Sequence, residues 1–500
     1  MGLSPAGPGD RTSPHTAPPA AARPAPGRPA AAGAARGLAA VCGAVTLLGL
    51  ALVPPTLELG WDEIVYASRF GPHGPPVPFS APRTRGVPLL LAPVAAWTGA
   101  VVLLRAWLLL LFAAALHLGF RPWLRVADRP WTVPVAAGLY GTLWITLFYA
   151  NSAMPNHYTA MGATAAAGAL AAGRPAAVAA GVAVATLMRP NDGVALAAPL
   201  LLAALLVPAW RDRGRLAGPA AGLVAGALPW VVEAQLRFGG VRERLAEASG
   251  IQGGLRPVFS LPAHLTAWDG PLLCRPCGGD TVRPEALPWW LLLPSLVALG
   301  LWSARRGRAG AARTADGAPA PPAYRLAVLV ALCCAAPYLF LVPYAAPRFL
   351  LPAYALLAVP AAAGLLLLVR VLPRPGPGRR RARAGATLLL ALVPAHLVMQ
   401  VTLVLGNARI QQDARADWHR ITRVLRDLGV REPCVLKANS SFIPVAHTAG
   451  CRPARWRAPV EPDAVVLRRR EPPGWARRWP SRPVPGTYNP GWTVAVRPGR

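Results

Sequence analysis

Long apolar blocks set the limits on this chain. From residue 37 to residue 405, stretches of about 20 residues rich in Ala, Leu, Val and Gly recur with scarcely an acid among them. Twenty helical residues rising about 1.5 Å each cover the roughly 30 Å hydrocarbon layer of a bilayer. The balance of the chain agrees. Of its 500 residues 54% are hydrophobic and only 15% charged, against about 25% charged in soluble domains. A soluble enzyme is excluded. The formal net charge of +31 would point to nucleic acid in a soluble protein. Here membrane topology accounts for much of it, and no nucleic-acid partner is expected.

The fold class expected is an all-α polytopic membrane protein with about eleven transmembrane helices. They fall near 37–55, 100–120, 131–150, 157–173, 175–188, 193–209, 217–236, 286–303, 326–343, 349–369 and 385–405. Arginines crowd the loops after the even-numbered spans: Arg121, Arg125 and Arg129; Arg174; Arg211, Arg213 and Arg215; Arg305, Arg306, Arg308 and Arg313; Arg374, Arg379, Arg380, Arg381 and Arg383. Such loops stay in the cytoplasm. The N-terminus is therefore expected inside, and residues 406–500, after an odd number of spans, outside. Residues 1–35 carry Pro, Ala, Gly and scattered Arg without the large side chains of a core, and read as a disordered basic cytoplasmic tail. Residues 36–405 form the transmembrane domain, with outer loops at 56–99 and 237–285.

The first outer loop reads Glu58-Leu59-Gly60-Trp61-Asp62-Glu63-Ile64-Val65-Tyr66, then a Gly/Pro-rich stretch, then Arg83-Thr84-Arg85. An Asp-Glu pair is conspicuous in a chain so poor in acids. Two readings stand at this point: a functional pair, or a solvated loop with Trp61 and Tyr66 at headgroup level. Arg83 and Arg85 likewise read either as ligand-binding cations or as side chains snorkelling to the interface.

The order of these features resembles the membrane-embedded GT-C glycosyltransferases, above all the protein mannosyltransferase and lipid A aminoarabinose transferase groups. The likeness rests on Asp62-Glu63 with Tyr66 after span one, and on Arg105 in Val102-Leu103-Leu104-Arg105-Ala106 at the opening of span two. Leu187-Met188-Arg189-Pro190 and Tyr344 through Arg348-Phe349-Leu350-Leu351-Pro352 extend it. The resemblance implies transfer of a hexosyl or pentosyl group, with inversion, from a polyprenyl-phosphate carrier to an envelope glycan, lipid or protein hydroxyl. The leaving group is already a phosphate, so the chemistry needs a carboxylate to take the acceptor proton and cations to hold the phosphate. By the motif match Asp62 is the base, with Glu63 orienting it or binding sugar or acceptor. Arg348, with Arg83 and Arg85, would hold the phosphate, since guanidinium suits bidentate contact. Tyr66, Asn156 and His157 are candidates for acceptor or sugar. The family's third outer element often carries a second acid; here Asn156 and His157 stand instead, which makes a metal bridged by two loops less favoured. No metal-ligand cluster is visible, and a divalent cation is left open.

Cys274-Arg275-Pro276-Cys277 has too few ligand neighbours for zinc and no βαβ context for redox chemistry. On an oxidising outer face a local disulfide is expected there, and a second between Cys434 and Cys451. Beyond residue 405, Trp418, Ile421, Val424, Leu425 and Leu428 recur at helical spacing, and short strands are expected at 434–438, 465–467 and 493–496. A small extracytoplasmic α/β cap domain over 406–500 follows. Ser440, Ser441 and His447 lack the G-x-S-x-G elbow of a serine hydrolase. Two alternatives to a glycosyltransferase stand: a non-catalytic assembly or binding protein of the same fold, and a polyprenyl-lipid or polysaccharide exporter. Whether Asp62, Glu63, His157 and Arg348 gather at one cavity discriminates among them.

Overall fold

Each apolar block forms helix. The computed structural model describes residues 28–273, 287–307, 320–372 and 380–499, besides the isolated positions 2 and 284. Helix α1 (Arg28–Leu52) leads into the first loop, which contains the short helices α2 (Trp61–Ala67) and α3 (Gly86–Ala95). Then come α4 (Val101–Phe120), α5 (Thr132–Gly141), α6 (Trp144–Phe148), α7 (Pro155–Ala171), α8 (Pro175–Met188), α9 (Pro190–Leu206) and α10 (Arg213–Phe238). Proline opens α7, α8 and α9, where its missing N–H costs nothing. The second large loop holds α11 (Val241–Ile251) and α12 (Leu261–Thr266), followed by α13 (Leu287–Gly307), α14 (Ala320–Phe340), α15 (Leu351–Val371) and α16 (Arg380–Asp427).

Among the described residues six of these helices, α1, α4, α10, α14, α15 and α16, are long and apolar enough to cross a bilayer, and α3, α8 and α9 are shorter apolar helices. The chain is a polytopic membrane protein. The block at 131–150 is broken, because Leu143 is extended between α5 and α6. The Trp144 N–H exposed by that break donates to Gln400 Oε1 of α16 at 2.6 Å. A bilayer offers no water for such a group, so a neighbouring helix must supply its partner.

The connections sort to two ends. Trp131 packs at Gly37, the Tyr324 hydroxyl accepts from Asp128 N, and Arg215 donates to Leu170 O. At the opposite end Arg105 meets Glu63, Arg85 meets Glu233, Thr84 reaches Met188 O and Asn407 reaches Asp269 O. Among the described residues, the short loops at Arg129, Arg174 and Arg215 thus share one end, and loops 56–99 and 237–273 share the other.

Helix α16 does not stop where its apolar block stops. It runs unbroken for 48 residues, so the expected boundary at 405/406 falls inside a helix. Likewise α1 begins at Arg28, within the stretch read as a tail. The outer part of α16 carries Ile421, Val424 and Leu425 into a second core with Leu436, Val445, Val466 and Val494. There β1 (Val435–Ala438), β2 (Arg452–Ala454), β3 (Ala464–Arg468), β4 (Ser481–Pro483) and β5 (Trp492–Val496) form one sheet in the order β2-β1-β3-β5-β4. β1 is parallel to β2 and β3, with Lys437 opposite Val465, whereas β5 is antiparallel to β3 and β4. Helix α17 (Phe442–Thr448) links β1 to β2, and Cys434 and Cys451 form a disulfide beneath it. Cys274 and Cys277 lie outside the described residues.

Candidate active site

A cavity of about 650 Å³ opens between the membrane helices and the cap. Its floor is the first turn of α2 with Gly60, Trp61, Asp62 and Glu63. Arg83, Tyr149 and Arg348 form one wall, and Arg415, Trp418, Phe442 and Arg455 the other.

Glu63 fixes the floor. Its side chain is buried, and both oxygens are filled. Oε1 accepts from Arg105 Nη1 at 2.5 Å and Ala153 N at 2.9 Å; Oε2 accepts from Gly60 N at 2.7 Å and Arg105 Nη2 at 3.0 Å. Arg415 Nη1 stands 3.6 Å from Oε2. Burial, the largest single influence, would raise the pKa of this carboxyl. Arg105 and Arg415, helped by the Gly60 N–H, overcome burial and hold it at about 2. Glu63 is therefore an anion whose lone pairs are committed, and it shapes α2 rather than facing the cavity as a base.

Arg105 spends its guanidinium the same way. Beyond Glu63 it donates to Leu57 O, Glu58 O and Asn151 O, tying α4 to the first loop and to the turn before α7. Gly60 lies close under Arg415; a methyl group there would come within 2.9 Å of Arg415 Nη2.

Asp62 is different. About one third of its side chain is exposed, at 34%. Oδ1 accepts from Arg83 Nη2 at 2.5 Å, and Oδ2 lies 3.8 Å from Arg348 Nη2. Arg348 Nη1 donates to Leu272 O at 2.7 Å and to the Tyr149 hydroxyl at 3.3 Å. Arg83 Nη1 donates to Ser80 Oγ. The segment carrying Arg83 is clamped in turn by fully buried Arg244, which donates to Ala81 O, Arg83 O and Glu233 Oε2 at 3.1, 2.8 and 3.1 Å.

The structure thus brings Asp62, Arg83 and Arg348 together on the cavity wall, with Glu63 beneath them. It does not bring the other candidates there. Arg85 turns to Glu233, donating from Nε at 2.9 Å, with its guanidinium 4.3 Å from the Phe79 ring centre. Tyr66 is buried behind Arg83, and burial pushes its hydroxyl up to about 12. Asn156 and His157 start α7 facing inward. His157 sits in the bundle against Phe112 and the Tyr140 hydroxyl, its Nδ1 3.1 Å from the latter. The first turn of a helix that dives into the core takes them from the loop surface, which corrects their placement at the acceptor. Arg189 pairs with Asp192 at 3.5 Å.

Sequence reasoning missed Tyr149, Arg244, Arg415, Trp418 and Arg455. Arg415 reaches Glu58 O across more than 350 residues of chain, a contact no local pattern announces. The helical spacing of Trp418 marked it only as an apolar face.

Among the described residues no group of three or more His, Cys, Asp or Glu is placed to hold a metal ion. Asp62 has guanidinium neighbours and Glu63 has no lone pair to spare, so among the described residues these two carboxylates do not fit a divalent cation.

No family model and no curated protein matches the chain. Solved structures do. The aminoarabinose transferase ArnT from Cupriavidus metallidurans bound to undecaprenyl phosphate aligns with a TM-score of 0.59 and 14% identity, over 92% of this chain and 97% of that one. The same transferase in the apo state gives 0.57 and 14%, over 93% and 98%. A mycobacterial arabinofuranosyltransferase, AftD, gives 0.44 and 14%, over 81% of this chain and 29% of that one. The chain therefore shares the fold of the two ArnT structures over nearly its whole length.

Proposed function

With that fold as premise, we propose that the protein is a membrane glycosyltransferase. It moves a hexosyl or pentosyl group from a polyprenyl-phosphate carrier to a hydroxyl of an envelope glycan, lipid or protein on the outer face. Eleven crossings with a cytoplasmic N-terminus put the cavity and the cap on that face. The observation that carries the reading is the partly exposed Asp62 carboxylate flanked by Arg83 and Arg348 in one cavity. That the structural neighbour was solved with undecaprenyl phosphate favours a polyprenyl carrier.

Asp62 takes the proton of the acceptor hydroxyl as its oxygen bonds to the anomeric carbon. The bond from that carbon to the phosphate oxygen breaks, and its electron pair leaves on the phosphate. Arg83 and Arg348 hold the charge that grows there, so no acid is required. Attack opposite the leaving phosphate inverts the anomeric centre.

The test is sugar transfer in membranes carrying wild type or Asp62→Asn, with a panel of radiolabelled polyprenyl-phosphate sugars. Wild type transfers one of them, and the variant, present at equal level, loses at least about a hundredfold in rate. Equal transfer by both removes Asp62 from the base position.

A further inference from the structure

Asp62 and the phosphate of the proposed donor need the same two cations. A carboxylate held at 2.5 Å by Arg83, with Arg348 at 3.8 Å, has a lone pair engaged by one guanidinium and its charge faced by a second, so an acceptor hydroxyl must displace that contact to reach Oδ1. Both guanidinium groups have a second, neutral anchor. Arg83 Nη1 is fixed by Ser80 Oγ; Arg348 Nη1 is fixed by Leu272 O and the Tyr149 hydroxyl. Their Nη2 groups meet at Asp62. Glu63 cannot stand in as a competing anion, because its oxygens are saturated by Arg105, Gly60 and Ala153.

Resting on the donor reading above, we propose that the donor's phosphate unmasks the base. Phosphate oxygens take Arg83 Nη2 and Arg348 Nη2, Asp62 loses its ion pair, and its Oδ1 then accepts the proton of the acceptor hydroxyl. Donor binding precedes base activation, so water entering the cavity without a donor meets a masked carboxylate. As the sugar–phosphate bond breaks, the phosphate gains negative charge, and its hold on the two arginines tightens in step with the proton transfer.

This makes an unusual demand on Asp62→Asn. If the carboxylate competes with phosphate, removing its charge strengthens phosphate binding while abolishing transfer. The experiment titrates undecaprenyl phosphate into the full-length detergent-solubilised protein and follows tryptophan fluorescence. Wild type, Asp62→Asn, Arg83→Gln and the double variant are compared, with thermal unfolding of each measured alongside. Asp62→Asn is expected to bind about tenfold more tightly than wild type. Most of that gain disappears in the Arg83→Gln background, where competitor and contested cation are both gone. Equal or weaker binding by Asp62→Asn overturns the proposal and leaves the donor reading standing, as does a gain of the same size without Arg83. If wild type and Asp62→Asn both fail to bind the lipid, the donor reading falls and this proposal with it.

Discussion

Two adjacent carboxylates sit on one turn of helix and do opposite work, because their surroundings differ. Asp62 keeps an exposed edge toward the cavity. Glu63 is sealed beneath it and pinned by Arg105 on both oxygens. Taking one partner from a buried ion pair leaves the other charge unmatched, at a cost of about 3–5 kcal/mol. Glu63→Gln should therefore unfold well below wild type at neutral pH. The pH dependence has a definite sign. The folded pKa of Glu63, about 2, lies below its ordinary 4.5, so its contribution is complete above pH 4.5 and is lost as pH falls toward 2. Thermal unfolding between pH 7 and pH 3 should show wild type losing stability below pH 4.5, while Glu63→Gln, already deprived of that contribution, falls less. Parallel curves would mean that the pair does not carry this share of stability. At this scale the sequence was legible where a residue's placement at the cavity follows from its neighbours in the chain. Asp62 stood out as an acid among apolar residues, and Arg348 by its motif. His157 was misplaced because one turn of helix decides whether a residue faces loop or core, and spacing within a loop does not report that turn.

Helices in a bilayer gain little from burying apolar surface, so their association depends on how closely backbones approach. The pairing of α13 with α15 depends on glycine in this way. A methyl group built on Gly364 would fall 2.1 Å from Leu296 O, and one on Gly300 only 1.9 Å from Pro360 O. Neither carbonyl can yield without moving its helix. Gly364→Val should separate α13 from α15 and, because α15 begins just after Arg348, shift that guanidinium from Tyr149 and Leu272. The expected outcome is a fall in unfolding temperature together with weaker binding of undecaprenyl phosphate. Gly385→Val, at a position where an added methyl group meets nothing, serves as the control and should leave both unchanged. Equal stability of Gly364→Val and wild type would contradict the close approach. The elements themselves were legible, since the apolar blocks placed most helices within a few residues of their ends. Their pairing was not. A small residue in an apolar block states that something comes near without stating which helix does. The same gap hid the continuity of α16, whose apolar and amphipathic halves have different composition and read as two elements.

Across the whole molecule, the cavity exists because α16 carries the cap from the membrane core onto the first outer loop. Phe442 of the cap meets Trp61 edge-on at 5.0 Å, and His447 Nε2 lies 2.8 Å from His73 O. The cap, the loop of Asp62 and Arg83, and the turn before α7 therefore occupy one face, while the short loops at Arg129, Arg174 and Arg215 occupy the opposite one. Such a sorting of arginines predicts which face is cytoplasmic, and a donor carried on the outer leaflet requires that the cavity face outward. Cysteine labelling tests both at once. Tyr488, in the cap, is 49% exposed, and Arg211 is exposed between α9 and α10. In a background where Cys274 and Cys277 are replaced by Ser, Tyr488→Cys should react with a membrane-impermeant maleimide on intact cells. Arg211→Cys should react only after the membrane is permeabilised. The reverse pattern would turn the cavity toward the cytoplasm, where a donor presented on the outer leaflet never meets Asp62.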